Sequence, residues 1–148
     1  MSEADLHATV AEFLDWALMP PALFTTFPAG WGKLPPATAG RLKGSGLKQG
    51  FPDLLIFHDG RCVGIELKVK GRKPSLAQQC MFHQLRQAGV LVYICESVED
   101  VAFTLRDSGV PMRRMALWHD DVRLGVRKWQ QDAISAKRDA EGEGDGPT

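Results

Sequence analysis

GFPDLLIFHDGRCVGIELK, residues Gly50 to Lys68, is the stretch whose reading decides the fold. Leu54-Leu55-Ile56-Phe57 and Cys62-Val63-Gly64-Ile65 have the length and residue types of buried strands. Asp59-Gly60 lies between them, and that dipeptide is a strong signal for a tight hairpin. The charges need a separate explanation. Asp53 opens the first strand, while Glu66 and Lys68 close the second and share a face, because strand residues two apart point the same way. Two carboxylates and an ammonium thus converge at the open end of an apolar ribbon. Such a set suits a hard divalent cation, which takes one or two carboxylates and keeps waters for phosphate oxygens. A solvated edge hairpin with a surface Glu66–Lys68 pair competes with this reading, but apolar neighbours on both faces weigh against it.

Pro52-Asp53, twelve intervening residues and then Glu66-Leu67-Lys68 resembles the PD-(D/E)XK nuclease signature. The surrounding Lys48-Gln49-Gly50-Phe51-Pro52-Asp53-Leu54 and the later Ser75-Leu76-Ala77-Gln78 are similar to the VRR-NUC branch, whose stand-alone members occur in phages and bacteria. The resemblance implies an α/β protein with the restriction-endonuclease-like αβββαβ core, a mixed central sheet flanked by helices. It implies a Mg²⁺- or Mn²⁺-dependent DNA endonuclease. Asp53, Glu66 and the Leu67 backbone carbonyl would hold the metal, and Lys68 would serve the attacking water or the phosphorane. A glutamate of the first helix often joins the metal in this superfamily. A glutamine at the start of the later helix hydrogen-bonds in the site, which carries that role to Gln78 rather than Gln79.

Residues 2–18 read as a helix capped by Ser2, with Glu3 and Asp5 in its first turn. Leu6, Val10, Phe13, Leu14 and Ala17 form its apolar stripe. Glu3 falls on the edge of that stripe and Glu12 almost opposite, so periodicity selects Glu3 for the metal. Stabilising the helix terminus is an equal explanation of Glu3. His7 stands where the resembled branch usually has a Gln. Pro20-Pro21 ends the helix. A strand follows over residues 22–27, then a Gly- and Pro-rich loop, a short helix at 36–43, and a glycine-rich basic approach through Lys43 and Lys48 that suits DNA contact or an ordinary loop. Ser75 and Gln78 form a capping-box pattern, which explains Gln78 without any catalytic role. Even so, Gln78 shares a helix face with Met81, Phe82, Leu85 and Ala88. Residues 90–95 read as a buried strand parallel to 62–68. A helix from Val98 to about Asp107, a strand at 115–118 and a helix at 126–138 with Trp129 as anchor complete the C-terminal extension. The expected organisation is one domain, residues 1–138, and a disordered acidic tail, 139–148.

With 148 residues and zero net charge, the chain suits a single domain, and no apolar run reaches the ~20 residues of a membrane span. Cys62, Cys80 and Cys95 read as reduced core residues, which with the lack of a signal segment points to the cytoplasm of a bacterial or phage-infected cell. No small-molecule cofactor motif is present. Charge is segregated: residues 33–86 hold ten Lys and Arg against three acids, whereas the tail from Asp139 is acidic. Lys43, Lys48, Lys70, Arg72 and Lys73 are the expected DNA-binding residues.

The expected substrate is branched or structured DNA. Stand-alone members of the resembled branch look like Holliday-junction resolvases, which work as homodimers, and symmetric cutting needs two copies. The alternatives are a monomeric flap or single-strand nuclease, a non-catalytic DNA-binding module, and an interaction protein using Trp31, Trp118 and Trp129.

Overall fold

The computed structural model describes residues 1–27, 34–113 and 119–142. Helix α1 (Glu3–Ala17) starts where Ser2 and Asp5 cap each other, with Asp5 N–H donating to Ser2 Oγ at 3.1 Å and Ser2 N–H to Asp5 Oδ2 at 3.0 Å. Its buried residues are Leu6, Val10, Phe13, Leu14 and Ala17, the expected stripe. Strand β1 (Leu23–Thr26), helix α2 (Pro36–Gly44), strands β2 (Leu54–His58) and β3 (Arg61–Leu67) follow. Helix α3 (Leu76–Gln87), strand β4 (Leu91–Cys95) and helices α4 (Val98–Asp107) and α5 (His119–Gly142) complete the order.

The sheet order is β1-β2-β3-β4, antiparallel for the first two pairs and parallel between β3 and β4. The β2–β3 turn has positive φ at both central residues, Asp59 at 51° and Gly60 at 68°, which matches the right-handed twist of the flanking strands. A parallel partner for β3 requires a crossover, and α3 supplies it. This is the αβββαβ core of the restriction-endonuclease-like fold, with α2 inserted between β1 and β2.

The two faces of the sheet are covered unequally. Leu54, Ile56, Val63, Ile65, Leu67 and Cys95 join α1, α4 and Trp129 of α5 in one core. On the other face α3 buries only Phe82, and Leu23, Phe57 and Ile94 remain exposed. Phe13 meets Trp129 edge-on at 5.8 Å between ring centroids, so Trp129 anchors α5 and is not available as an interface residue. Trp31, Trp118 and the strand expected at 115–118 lie outside the described residues.

Four expectations are corrected. β1 is two residues shorter than the apolar run, which starts at Ala22 and ends at Phe27. α5 begins before Gly125 and continues to Gly142, so the acidic stretch is helical over 139–142. Cys80 is exposed on α3 rather than buried, because that helix presents a single narrow row to the sheet. Ala88 is likewise exposed and caps α3 instead of facing the core. No helix among the described residues is long and apolar enough to cross a membrane.

Candidate active site

The register of β2 against β3 builds the site. Leu54 pairs with Ile65, and one further step places Asp53 opposite Glu66. Regular pairing stops there. Pro52 has no N–H to donate and sits against Gly64 so closely that a Cβ on Gly64 would lie 2.7 Å from Pro52 Cγ. The chain therefore leaves the sheet, and Asp53 Oδ2 takes up the Leu67 N–H at 2.8 Å. A carboxylate thus replaces a backbone carbonyl at the end of a central strand.

Glu66 is the buried charged residue of the described structure, 1 % exposed. Its Oε1 accepts from Gln78 Nε2 at 2.6 Å and meets Lys68 Nζ at 3.1 Å. Its Oε2 is buried with no hydrogen-bond partner. Lys68 projects from just beyond β3, and Glu3 at the start of α1 brings Oε1 to 3.9 Å from Lys68 Nζ. Gln78 performs both duties that its position suggested. Its Oε1 accepts from Ser75 N–H at 2.9 Å, closing the capping box, while its Nε2 reaches Glu66. Gln79 turns instead to the Pro74 carbonyl.

Burial pushes the Glu66 carboxyl up to about 7, and the charge of Asp53 adds to the rise; Lys68 and Gln78 offset part of it. Burial also raises Asp53, against the Leu67 N–H, His7 and Lys68, which favour its charged form. His7 is thus an electrostatic neighbour of the site. In the sequence His7 stands out only as a substitute for the Gln usual in the resembled branch, although its place one turn beyond Glu3 puts both on one helix face.

Two neighbouring carboxylates keep raised pKa values although Lys68 lies beside them, and Glu66 Oε2 has no partner, so a divalent cation fits the remaining negative charge. Among the described residues no set of three or more His, Cys, Asp or Glu side chains is placed to hold a metal alone. The remaining ligands would have to be backbone carbonyl, water and substrate oxygen, which is how Mg²⁺ is commonly bound. Lys43, at the end of α2, Lys48, before Gly50, and Lys70, Arg72 and Lys73, between β3 and α3, are all exposed. Arg72 lines an open cleft of about 380 Å³ with Met1, Ser2, Glu3 and Val69.

The fold is α/β and restriction-endonuclease-like, and Asp53 and Glu66 lie at the end of its central hairpin. Among solved structures, a VRR_NUC domain protein shares this fold, with a TM-score of 0.52, 18 % sequence identity, and coverage of 72 % of this chain and 86 % of that one. At that identity the likeness is one of fold. No family model and no curated protein matches the sequence.

Proposed function

We propose that this protein is a metal-dependent DNA endonuclease of the VRR-NUC type, selective for DNA structure and acting on branched DNA as a resolvase-like homodimer. The observation that carries the reading is Glu66: a buried carboxylate held on one oxygen by Lys68 and Gln78, orphaned on the other, and set opposite Asp53. The fold shared with a VRR_NUC domain protein supports the same class.

Asp53, Glu66 and the Leu67 carbonyl, with Glu3 nearby, would hold Mg²⁺ or Mn²⁺. When bound, the ion supplies a water of lowered pKa and a Lewis acid for a phosphate oxygen. Lys68 adds positive charge where the anionic phosphate must lie and orients or deprotonates the attacking water. Gln78 fixes Glu66 through Oε1 and leaves Oε2 available. Burial removes competing water and strengthens each of these interactions. The exposed bases around the site hold the phosphate backbone without reading sequence. Two copies related by a two-fold axis would present two such sites to a four-way junction.

The test is cleavage in Mg²⁺ or Mn²⁺ of a four-way junction, a flap, a single strand and a plain duplex, with elution mass measured at the same concentrations. Paired symmetric nicks in the junction are expected, lost on chelation and in Asp53→Ala, Glu66→Ala and Lys68→Ala proteins that remain folded. Full activity of Lys68→Ala would remove the assigned chemistry. Cleavage of flap or single strand by a particle of one chain's mass would keep the chemistry and remove the dimer. DNA binding without cutting would leave a binding module.

A further inference from the structure

The row of side chains that crosses the sheet at the site begins with a residue the chemistry above leaves unused. Thr26 pairs with Leu54, and one step on, Phe27 N–H donates to the Asp53 carbonyl at 2.8 Å. Phe27 is therefore opposite Asp53 as Asp53 is opposite Glu66. Directly opposite residues of antiparallel strands share a face with Cβ atoms about 5 Å apart. A phenyl ring thus stands one strand's width from the first carboxylate. Phe51, two residues before Asp53, stacks on it with centroids 4.8 Å apart and planes 18° from parallel.

Both rings are partly exposed, and neither belongs to the buried core. Phe51 is closely supported on both sides. Gly50, at φ 83°, lies so close to α3 that a Cβ there would be 2.8 Å from the Ala77 carbonyl oxygen. Pro52 is pressed on Gly64 on the other side of Phe51. The ring is held between two close backbone approaches, and Lys48 lies exposed three residues earlier.

We propose that Phe27 and Phe51 form a platform on which an unpaired base stacks, that of the nucleotide adjoining the scissile phosphate. The substrate class is then DNA with an unpaired or splayed strand at the point of cutting. The proposal rests on the nuclease reading and narrows it. A base inside a continuous duplex has both faces covered by its neighbours, so only a freed base offers a face to the protein. Stacking on an aromatic ring accepts any base, which suits recognition of structure rather than sequence.

The test uses the full chain carrying Asp53→Asn, which keeps an oxygen for the Leu67 N–H while stopping cleavage. Its affinity for forked DNA in Mg²⁺ is measured with an abasic nucleotide placed at each position in turn. One position is expected to cost about tenfold when its base is removed. That penalty disappears in Phe51→Leu or Phe27→Leu proteins of unchanged thermal midpoint and survives in Phe51→Tyr. An equal penalty in the Leu variants and their parent overturns the platform, as does a uniform loss across all positions. Cleavage by the protein with Asp53 intact reads the nuclease separately. Uncut DNA with the abasic penalty present leaves the platform standing alone, whereas cutting without the penalty removes the platform alone.

Discussion

As a residue 1 % exposed whose pKa is pushed up to about 7, Glu66 makes the stability of the metal-free protein depend on pH. An acid whose folded pKa is raised binds its proton more tightly when folded. Its contribution is therefore favourable below the ordinary carboxyl value and is lost as pH rises through about 7. The loss is on the order of 3 kcal/mol. In chelator, the thermal midpoint of the wild type relative to Glu66→Gln is expected to fall between pH 5 and pH 8. Excess Mg²⁺ at pH 8 is expected to raise the wild-type midpoint and leave Glu66→Gln unmoved; equal shifts would place the ion elsewhere. Gln78 can be dissected in the same way, because its two hydrogen bonds leave from different atoms. Ser75→Ala removes only the cap, costs about 1 kcal/mol of stability and leaves cleavage unaltered. Gln78→Ala carries a similar stability loss and also slows cleavage by at least about tenfold, the worth of one hydrogen bond to a charged group. Comparable rates for the two variants would reduce Gln78 to a capping residue.

At the level of elements, what the sequence disclosed was local. Asp59-Gly60 names its own turn, and Ser2, Ser75 and Ser97 each begin a helix as capping chemistry requires. The pairing of Asp53 with Glu66 was also legible, since hairpin length and two-residue alternation fix it. What depends on packing between distant segments was not. The helix expected over 126–138 runs through Gly125 instead, and burial of Trp129 against Phe13 outweighs the ~1 kcal/mol that a glycine costs inside a helix. Helical spacing puts Met81, Phe82, Leu85 and Ala88 on one inner face of α3, and packing against the sheet buries only Phe82. His7 was hidden because its importance comes from Asp53, many residues away. The close approach of Pro52 to Gly64 was equally invisible, and it makes a direct test. Gly64→Ala should push Pro52 outward and carry Asp53 off its register, with about 1–3 kcal/mol of destabilisation and loss of cleavage. Pro52→Ala in the same chain should restore part of both, as thermal melts and the junction assay would reveal. Full activity of Gly64→Ala alone would mean that Asp53 is not held by this contact.

Across the whole molecule, a net charge of zero conceals opposite ends: ten Lys and Arg against three acids over residues 33–86, and an acidic C-terminus. Attraction to a phosphate backbone depends on the local charge, because screening limits each group's reach to about 10 Å at 0.1 M salt. Position along β3 then decides which bases matter. Lys70, Arg72 and Lys73 follow the strand end that carries Glu66, whereas Arg61 begins the strand at the hairpin turn. At ~3.3 Å per residue, the length of β3 puts Arg61 about 20 Å from Leu67, roughly two screening lengths. Replacing Lys70, Arg72 and Lys73 with Ala should therefore reduce the slope of log affinity against log salt by about 2 to 3 for DNA, since each released phosphate contact contributes about 0.7 to 0.9. Arg61→Ala should leave that slope as it is. Titrations of the cleavage-blocked protein on one forked DNA over a range of salt concentrations separate these expectations. A slope that falls equally for both proteins would mean that the backbone tracks the whole length of β3 rather than the end that holds the carboxylates.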